Sequence, residues 1–203
     1  MAAITIGTVI TIGQFRERAL SNSERELANT VLLLTRHFDQ QFEDSNVIAT
    51  DLITKMQFAG RVSPENFSRK MSTHDAHLML KSRASVLPYI GEVNIYNSDG
   101  QLMNSSDVWP LPDVSIAERD YFNALKSDPE SKVILTEPVQ SYFTGKPTTV
   151  IAHRLTALDG AFLGVMARRI NVANFQSFFA SVVLGEGAAI SMFHNDGTLL
   201  ARY

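Results

Sequence analysis

Between Gln14 and Gln57 the chain has neither proline nor glycine, and its apolar positions recur at helical spacing. Leu20, Leu27, Val31, Leu34, Phe38 and Phe42 stand 7, 4, 3, 4 and 4 residues apart, and Ile48, Leu52 and Met56 continue the stripe beyond the polar patch Glu43 to Asn46. Such spacing gives a helix one apolar face. A single helix over this span would reach roughly 60 Å at 1.5 Å per residue. So long a stripe either packs along a domain and projects past it or pairs with a second chain. Two core helices broken near Asp44 to Asn46 are the alternative. Gly60 to Met71 reads as a connection in which Ser63-Pro64-Glu65 can start a helix, and Ser72 or Thr73 can cap a further helix that ends before Leu87-Pro88.

After Pro88 the period changes. Val93 to Tyr96 alternates, Asn97-Ser98-Asp99-Gly100 turns the chain, and Gln101 to Met103 resumes, which predicts a β-hairpin. Ser115 to Lys126 reads as a short helix, and Val133 to Glu137, Thr148 to Arg154 and Ala161 to Ile170 read as strands. Turns at Thr144-Gly145-Lys146-Pro147 and Leu158-Asp159-Gly160 separate those three. Helices followed by an antiparallel sheet with one inserted helix make an α+β domain. The hairpin pattern then recurs: Val93 to Leu102 aligns with Ile190 to Leu199, with Asp, Gly and Leu shared. A second module opening where the first closes accounts for this. Asp-Gly is a common turn pair, so chance similarity is the alternative.

The expected organisation is residues 1–13, 14–86 with the long helix and a second helix, 87–175 as a complete module, and 176–203 as the opening of another. Met1 to Gly13 carries no charge and is rich in Ile, Val, Ala and Thr. It is too short to span a bilayer alone, which takes about 20 apolar residues. It is read as the outer end of a transmembrane helix; a buried β-branched strand is the other reading.

Composition narrows the function classes. With 203 residues, 45% hydrophobic and 19% charged, the chain can bury a sizeable core. A net charge of −3 gives no basic footprint for nucleic acid. The absence of cysteine excludes disulfides, thiolate catalysis and Cys-ligated metal centres. No nucleophile elbow, phosphate-binding glycine loop or paired-carboxylate motif is present, so no catalytic residue, metal or cofactor is assigned. His74 and His77 could share a helical face but lack a third ligand and read as a solvated surface. His153 lies inside a strand, either as a satisfied sheet histidine or as a polar group facing a ligand cavity. The segment Ala117 to Leu125 is the most informative, because Arg119 stands beside Tyr121 and Phe122. An arginine can grip an anionic group while rings enclose an apolar ligand body. Equally, the rings can cover the sheet while Arg119 makes an ion pair with Asp120 or Glu137.

Glu118-Arg119-Asp120-Tyr121-Phe122, then Thr136-Glu137-Pro138-Val139, Thr144-Gly145-Lys146, and Asp159-Gly160-Ala161-Phe162-Leu163-Gly164-Val165 resemble double Cache sensor domains. These are PAS-like periplasmic regions of bacterial histidine kinases, diguanylate cyclases and chemoreceptors. The closing Asn195 to Tyr203 is similar to the opening hairpin of their membrane-proximal module. The resemblance covers roughly Leu87 to Tyr203, and the long helix matches the family's membrane-emergent helix. It implies that the first module binds a signal molecule, with Arg119, Tyr121 and Phe122 matching the motif that amino-acid-binding members use. Val139 stands where those members place a tyrosine. Arg169 stands where they place an aspartate for the ligand's ammonium. A carboxylate or other anion held by Arg119 and Arg169 therefore suits these residues better than an amino acid.

The expected function is the extracytoplasmic sensor region of an inner-membrane receptor, not an enzyme. It would bind a small anionic ligand through Arg119, Tyr121, Phe122, Val139, His153 and Arg169, and pass the signal through the long helix. A homodimer along that helix and membrane attachment through flanking segments are the expected partners. A ligand-free dimerisation and coupling module is the alternative. An enzyme would require His153, Arg119 and a carboxylate to converge in one cavity.

Overall fold

In the computed structural model the polar patch Glu43 to Asn46 does not interrupt the long helix: α1 runs from Ala2 to Ala59. The structure describes residues 2–59, 63–85, 90–136, 139–170, 172–182, 187–193, 197 and 199–203. Residues 2–13 are helical, so the strand reading of that segment is set aside. With no proline or glycine between Gln14 and Gln57, nothing breaks the backbone ladder there. Leu20, Leu27 and Val31 are 54, 50 and 61% exposed, so this part of the stripe has no cover from the chain itself. No helix among the described residues is long and apolar enough to cross a membrane. The chain divides into two units, Met1–Asn46 and Val47–Tyr203.

The connection after α1 holds a complete helix, α2 (Pro64–Met71), with proline in its first turn, where no backbone donor is lost. α3 (His74–Ala84) follows, and the Thr73 hydroxyl accepts from Ala76 N at 3.2 Å to cap it. The sheet is built from β1 (Ile90–Asn97), β2 (Leu102–Ser105), β3 (Val133–Leu135), β6 (Val150–Thr156) and β7 (Phe162–Ile170). Its strand order is β2-β1-β7-β6-β3, antiparallel throughout. A small hairpin, β4 (Val139–Gln140) with β5 (Pro147–Thr148), stands apart from it.

Both faces of the sheet are covered. On one, Phe67 and Met71 of α2 and Ala76 and Leu80 of α3 pack on Val93, Ile95, Leu155 and Met166. Leu80 and Ile95 are fully buried, and truncating either to alanine would cost on the order of 2–5 kcal/mol. On the other, Ile116 with Phe122 and Leu125 of α4 (Asp120–Ser127) covers Tyr96, Val150, Ala152, Val165 and Ala167. α4 begins later than the expected Ser115. Residues 114–116 pair instead with the hairpin turn: Leu102 N donates to Val114 O and Ile116 N to Gly100 O, both at 2.9 Å. Arg154 fixes the other end of α4, donating to the carbonyls of Leu125 and Lys126 while its guanidinium lies 4.7 Å over the Phe162 ring. Those are orphan carbonyls of a helix C-terminus, where a cation is favoured.

His77 is placed differently from its sequence reading, and His153 takes the first of its two readings, the satisfied sheet histidine. His77 is not solvated: it is 5% exposed, and its Nδ1 donates to Ser105 O at 2.6 Å, tying α3 to β2. His153 lies on the side of β6 that carries Ile151 and Leu155, where Arg168 Nη2 donates to its Nε2 at 2.9 Å. Burial first, and the Arg168 charge second, push its pKa down to about 4, so it is a neutral acceptor. Burial pushes Arg168 down to about 10, still a cation at neutral pH.

The second hairpin reproduces the first. β1 and β2 pair Asn94 with Ser105, Ile95 with Asn104 and Tyr96 with Leu102, with a register shift between Ile95 and Tyr96. β8 (Ser191–Phe193) and β9 (Leu199–Arg202) pair Ser191 with Arg202, Met192 with Ala201 and Phe193 with Leu199, with the shift between Met192 and Phe193. Every partner, the irregularity included, recurs 97 positions later. The turn glycines match as well, with φ of 85° at Gly100 and 91° at Gly197. Residues 194–196 and 198 of the repeated motif lie outside the described residues. A helix, α5 (Val172–Ser181), precedes this hairpin.

Two predictions follow from this packing. Gly164 has φ of 143°, and a Cβ there would lie 1.9 Å from the Tyr96 carbonyl oxygen. Gly164→Ala should therefore destabilise the protein by more than about 3 kcal/mol in urea unfolding, since strain and a backbone clash coincide. For His153 the folded pKa lies below the unfolded 6.5. Its contribution is present above pH 6.5 and is lost as pH falls towards 4, by roughly 3 kcal/mol. His153→Gln keeps an acceptor for Arg168 but cannot titrate, so the loss of Tm between pH 6.5 and 4 should be smaller than in wild type.

Candidate functional site

The second face of the sheet carries a solvent-open cleft. Asn94 and Tyr96 of β1, Ala167 of β7 and Val150 of β6 form its floor. Ile116, Arg119 and Tyr121 form one wall, and Val139 to Phe143 with Thr148 of the β4–β5 hairpin form the other. That hairpin is held by Ser141, which is 9% exposed. Its hydroxyl accepts from Phe143 N and Thr144 N at 3.2 and 3.3 Å, and its carbonyl accepts from Gly145 N at 2.9 Å. Gly145 takes the positive φ, 65°, that closes the turn.

Of the six residues singled out in the sequence, Arg119, Tyr121, Val139 and Arg169 border the cleft. Phe122 does not: it is 2% exposed, packed under α4 with its ring centroid 5.9 Å from that of Phe162. His153 is on the other face, one residue out of phase with Ala152, so His153 and Arg119 do not converge. Arg168 also borders the cleft, although its guanidinium turns away to His153. Among the described residues no three His, Asp or Glu side chains gather as metal ligands.

Arg119 is the N-cap of α4, and its Nη2 donates to Gln140 O at 2.8 Å across the cleft. The guanidinium also lies 4.3 Å over the Tyr142 ring. Glu118 is 3.8 Å away but 62% exposed, a pair of the kind that contributes about 0–1 kcal/mol. Of the two partners considered from the sequence, Asp120 makes no ion pair with Arg119 and Glu137 lies outside the described residues. Burial pushes the Tyr121 hydroxyl up to about 12, so it stays a neutral donor near Arg119 at neutral pH.

Arg169 faces the cleft, but its charge is already matched. Its Nε donates to Glu92 Oε2 at 2.7 Å, and that carboxylate is only 8% exposed. A Cβ at Gly91 would stand 3.2 Å from Arg169 Nε, so glycine makes room for the guanidinium. Glu92 corrects the expectation that Arg119 and Arg169 grip an anion together. Of the two guanidinium groups that face the cleft, that of Arg119 has only the exposed Glu118 as a carboxylate neighbour.

Asn94 carries a second unanticipated feature. It is 6% exposed, and its Oδ1 is buried without a hydrogen-bond partner among the described residues. Leaving such an acceptor unmet costs roughly 1–3 kcal/mol. The sequence held a signal for Glu92 and Asn94: they are the polar members of an alternating strand. A second covering layer, the segment with α4, turns that polar side inward.

No family model and no curated protein matches the chain. Solved structures do. The extracellular domain of rpHK1S-Z16, assigned as a histidine kinase, superposes with a TM-score of 0.71 at 30% identity, covering 82% of this chain and 65% of that one. The ligand-binding domain of the Pseudomonas aeruginosa PAO1 amino-acid chemoreceptor PctC, in complex with GABA, gives 0.56 at 15% identity, covering 80% and 67%. The sensory domain of the Campylobacter jejuni chemoreceptor Tlp3, with isoleucine bound, gives 0.51 at 14% identity, covering 80% and 64%. The chain spans about two thirds of the length of these domains. The five-stranded antiparallel sheet behind a long N-terminal helix is common ground, and the chain has the Cache-like fold of the extracellular sensor domains of histidine kinases and chemoreceptors.

Proposed function

We propose that the chain is the extracytoplasmic sensor region of a membrane receptor and that its cleft binds a small ligand through a carboxylate held by Arg119. The observation that carries this reading is the state of Arg119 itself. Its guanidinium lies in the cleft, resting on one backbone carbonyl and one tyrosine ring with only the exposed Glu118 beside it, while Arg169 is paired with Glu92 and the Arg168 guanidinium turns away to His153. A planar fork with five donors suits a carboxylate, which can take two parallel hydrogen bonds from it. Tyr121 and Val139 then border the body of the ligand.

In this reading residues 87–175 are the sensing module and 176–203 open a second, a division supported by the repeated hairpin register. Residues 1–13 are the outer end of a membrane span. The exposed stripe Leu20, Leu27 and Val31 pairs with a second copy of α1. Ligand draws the β4–β5 hairpin and the start of α4 together and so biases α1. It can do so only by its differential affinity for the two arrangements, about 1.4 kcal/mol for each tenfold preference.

The stripe on α1 would serve a ligand-free coupling module equally well, and a thermal-shift screen of short carboxylates separates the two readings. Any binder of the folded state raises Tm, by RT ln(1 + [L]/Kd) in free energy. For the tightest carboxylate found, Arg119→Ala should weaken binding by about 30-fold or more in calorimetry, since it removes charge-assisted hydrogen bonds. An unchanged affinity would falsify the assignment of Arg119.

A further inference from the structure

We infer that Asn94 accepts a hydrogen bond from the ligand, so that the cleft selects a hydroxycarboxylate over a plain carboxylate or an inorganic anion. The inference rests on the proposed carboxylate site at Arg119 and concerns the opposite requirement, a donor on the same ligand. Asn94 lies at the centre of β1, opposite Ala167 of β7, and both border the cleft. Alanine on the neighbouring strand puts only a methyl group beside the amide. Its Oδ1 is buried, finds no partner among the described residues, and belongs to a side chain 94% enclosed. Buried acceptors are otherwise met almost everywhere in proteins, and a site built to bond a hydroxyl rejects analogues that lack one.

The charges nearby favour a neutral donor. Glu92 stands two residues before Asn94 on the same face of β1, and its Oε2 already accepts from Arg169 Nε at 2.7 Å. An ammonium group at Asn94 would meet no surplus negative charge and would lie near the Arg169 cation. A hydroxyl needs only the amide oxygen. The cleft thus offers donors at Arg119 and Tyr121 and an acceptor at Asn94, a pattern that fits one carboxylate and one hydroxyl.

The test is calorimetry on the full chain with butyrate, its three monohydroxy isomers and its three monoamino isomers. At least one hydroxybutyrate should bind about tenfold or more tightly than butyrate, and more tightly than its amino counterpart. Asn94→Ala should bring that ratio close to one and not lower Tm, because the acceptor it removes has no partner to lose. Asn94→Asp keeps the size and the acceptor and should move the preference to an amino isomer. Butyrate binding as tightly as every derivative would overturn the role of Asn94. So would an Asn94→Ala protein that keeps the hydroxyl preference or has lost Tm, the mark of a structural residue. An amino isomer ranking first in wild type would overturn the hydroxyl assignment. If none of the seven compounds binds, both this inference and the carboxylate site fall. If they bind equally well to Arg119→Ala, the carboxylate site alone falls.

Discussion

Strand β1 is enclosed on both faces, and the polar chemistry of the molecule follows from that. Val93 and Ile95 sit under α2 and α3, while Asn94 and Tyr96 sit under the segment that carries Arg119 and α4. An antiparallel sheet with one wet face can leave its alternate positions to water. This one cannot, so each polar side chain on its inner strands needs a partner from the protein or from a ligand.

The protein meets that requirement in several ways. Glu92 and Arg169 pair across β1 and β7, and Arg168 donates to a neutral His153 on the far face. Arg154 donates from Nη1 to the carbonyls that end α4. This anchors the helix whose first turn follows Arg119, so the wall of the cleft is fixed at the end away from Arg119. Arg119 rests on Gln140 of a two-residue strand, a contact that costs little to exchange. Asn94 alone among the polar residues of the cleft floor keeps an unmet acceptor.

Much of the fold was legible in the period of the sequence. The uninterrupted stripe from Leu20 to Met56 marks α1, Thr73 marks the start of α3, and the Asp-Gly turns locate the hairpins. The repeat at 97 residues survives in register and irregularity, beyond what the shared Asp, Gly and Leu required. The β4–β5 hairpin was missed because two-residue strands have no period; its turn depends on the Ser141 hydroxyl, a contact specific to the folded loop. Ser115 was read into α4 because nothing local shows that residues 114–116 pair back onto Gly100 and Leu102. Of the residues that border the cleft, Arg119, Tyr121, Val139 and Arg169 were singled out by motif. The pairing of Arg169 with Glu92 depends on the β1–β7 register, 77 residues apart in sequence, and no local pattern carries it. His153 was assignable in principle, since it alternates with Val150 and Ala152 along β6, but which parity faces the cleft is set by the layer that covers it.

The most direct test of the account is a crystal structure of the chain with the tightest-binding carboxylate. The account predicts the carboxylate oxygens at about 3 Å from the Arg119 guanidinium. It also predicts a ligand donor on Asn94 Oδ1, with the Glu92–Arg169 pair intact. A carboxylate seated on Arg169 with Glu92 displaced, or a ligand outside the cleft while Arg119 still rests on Gln140, would contradict it.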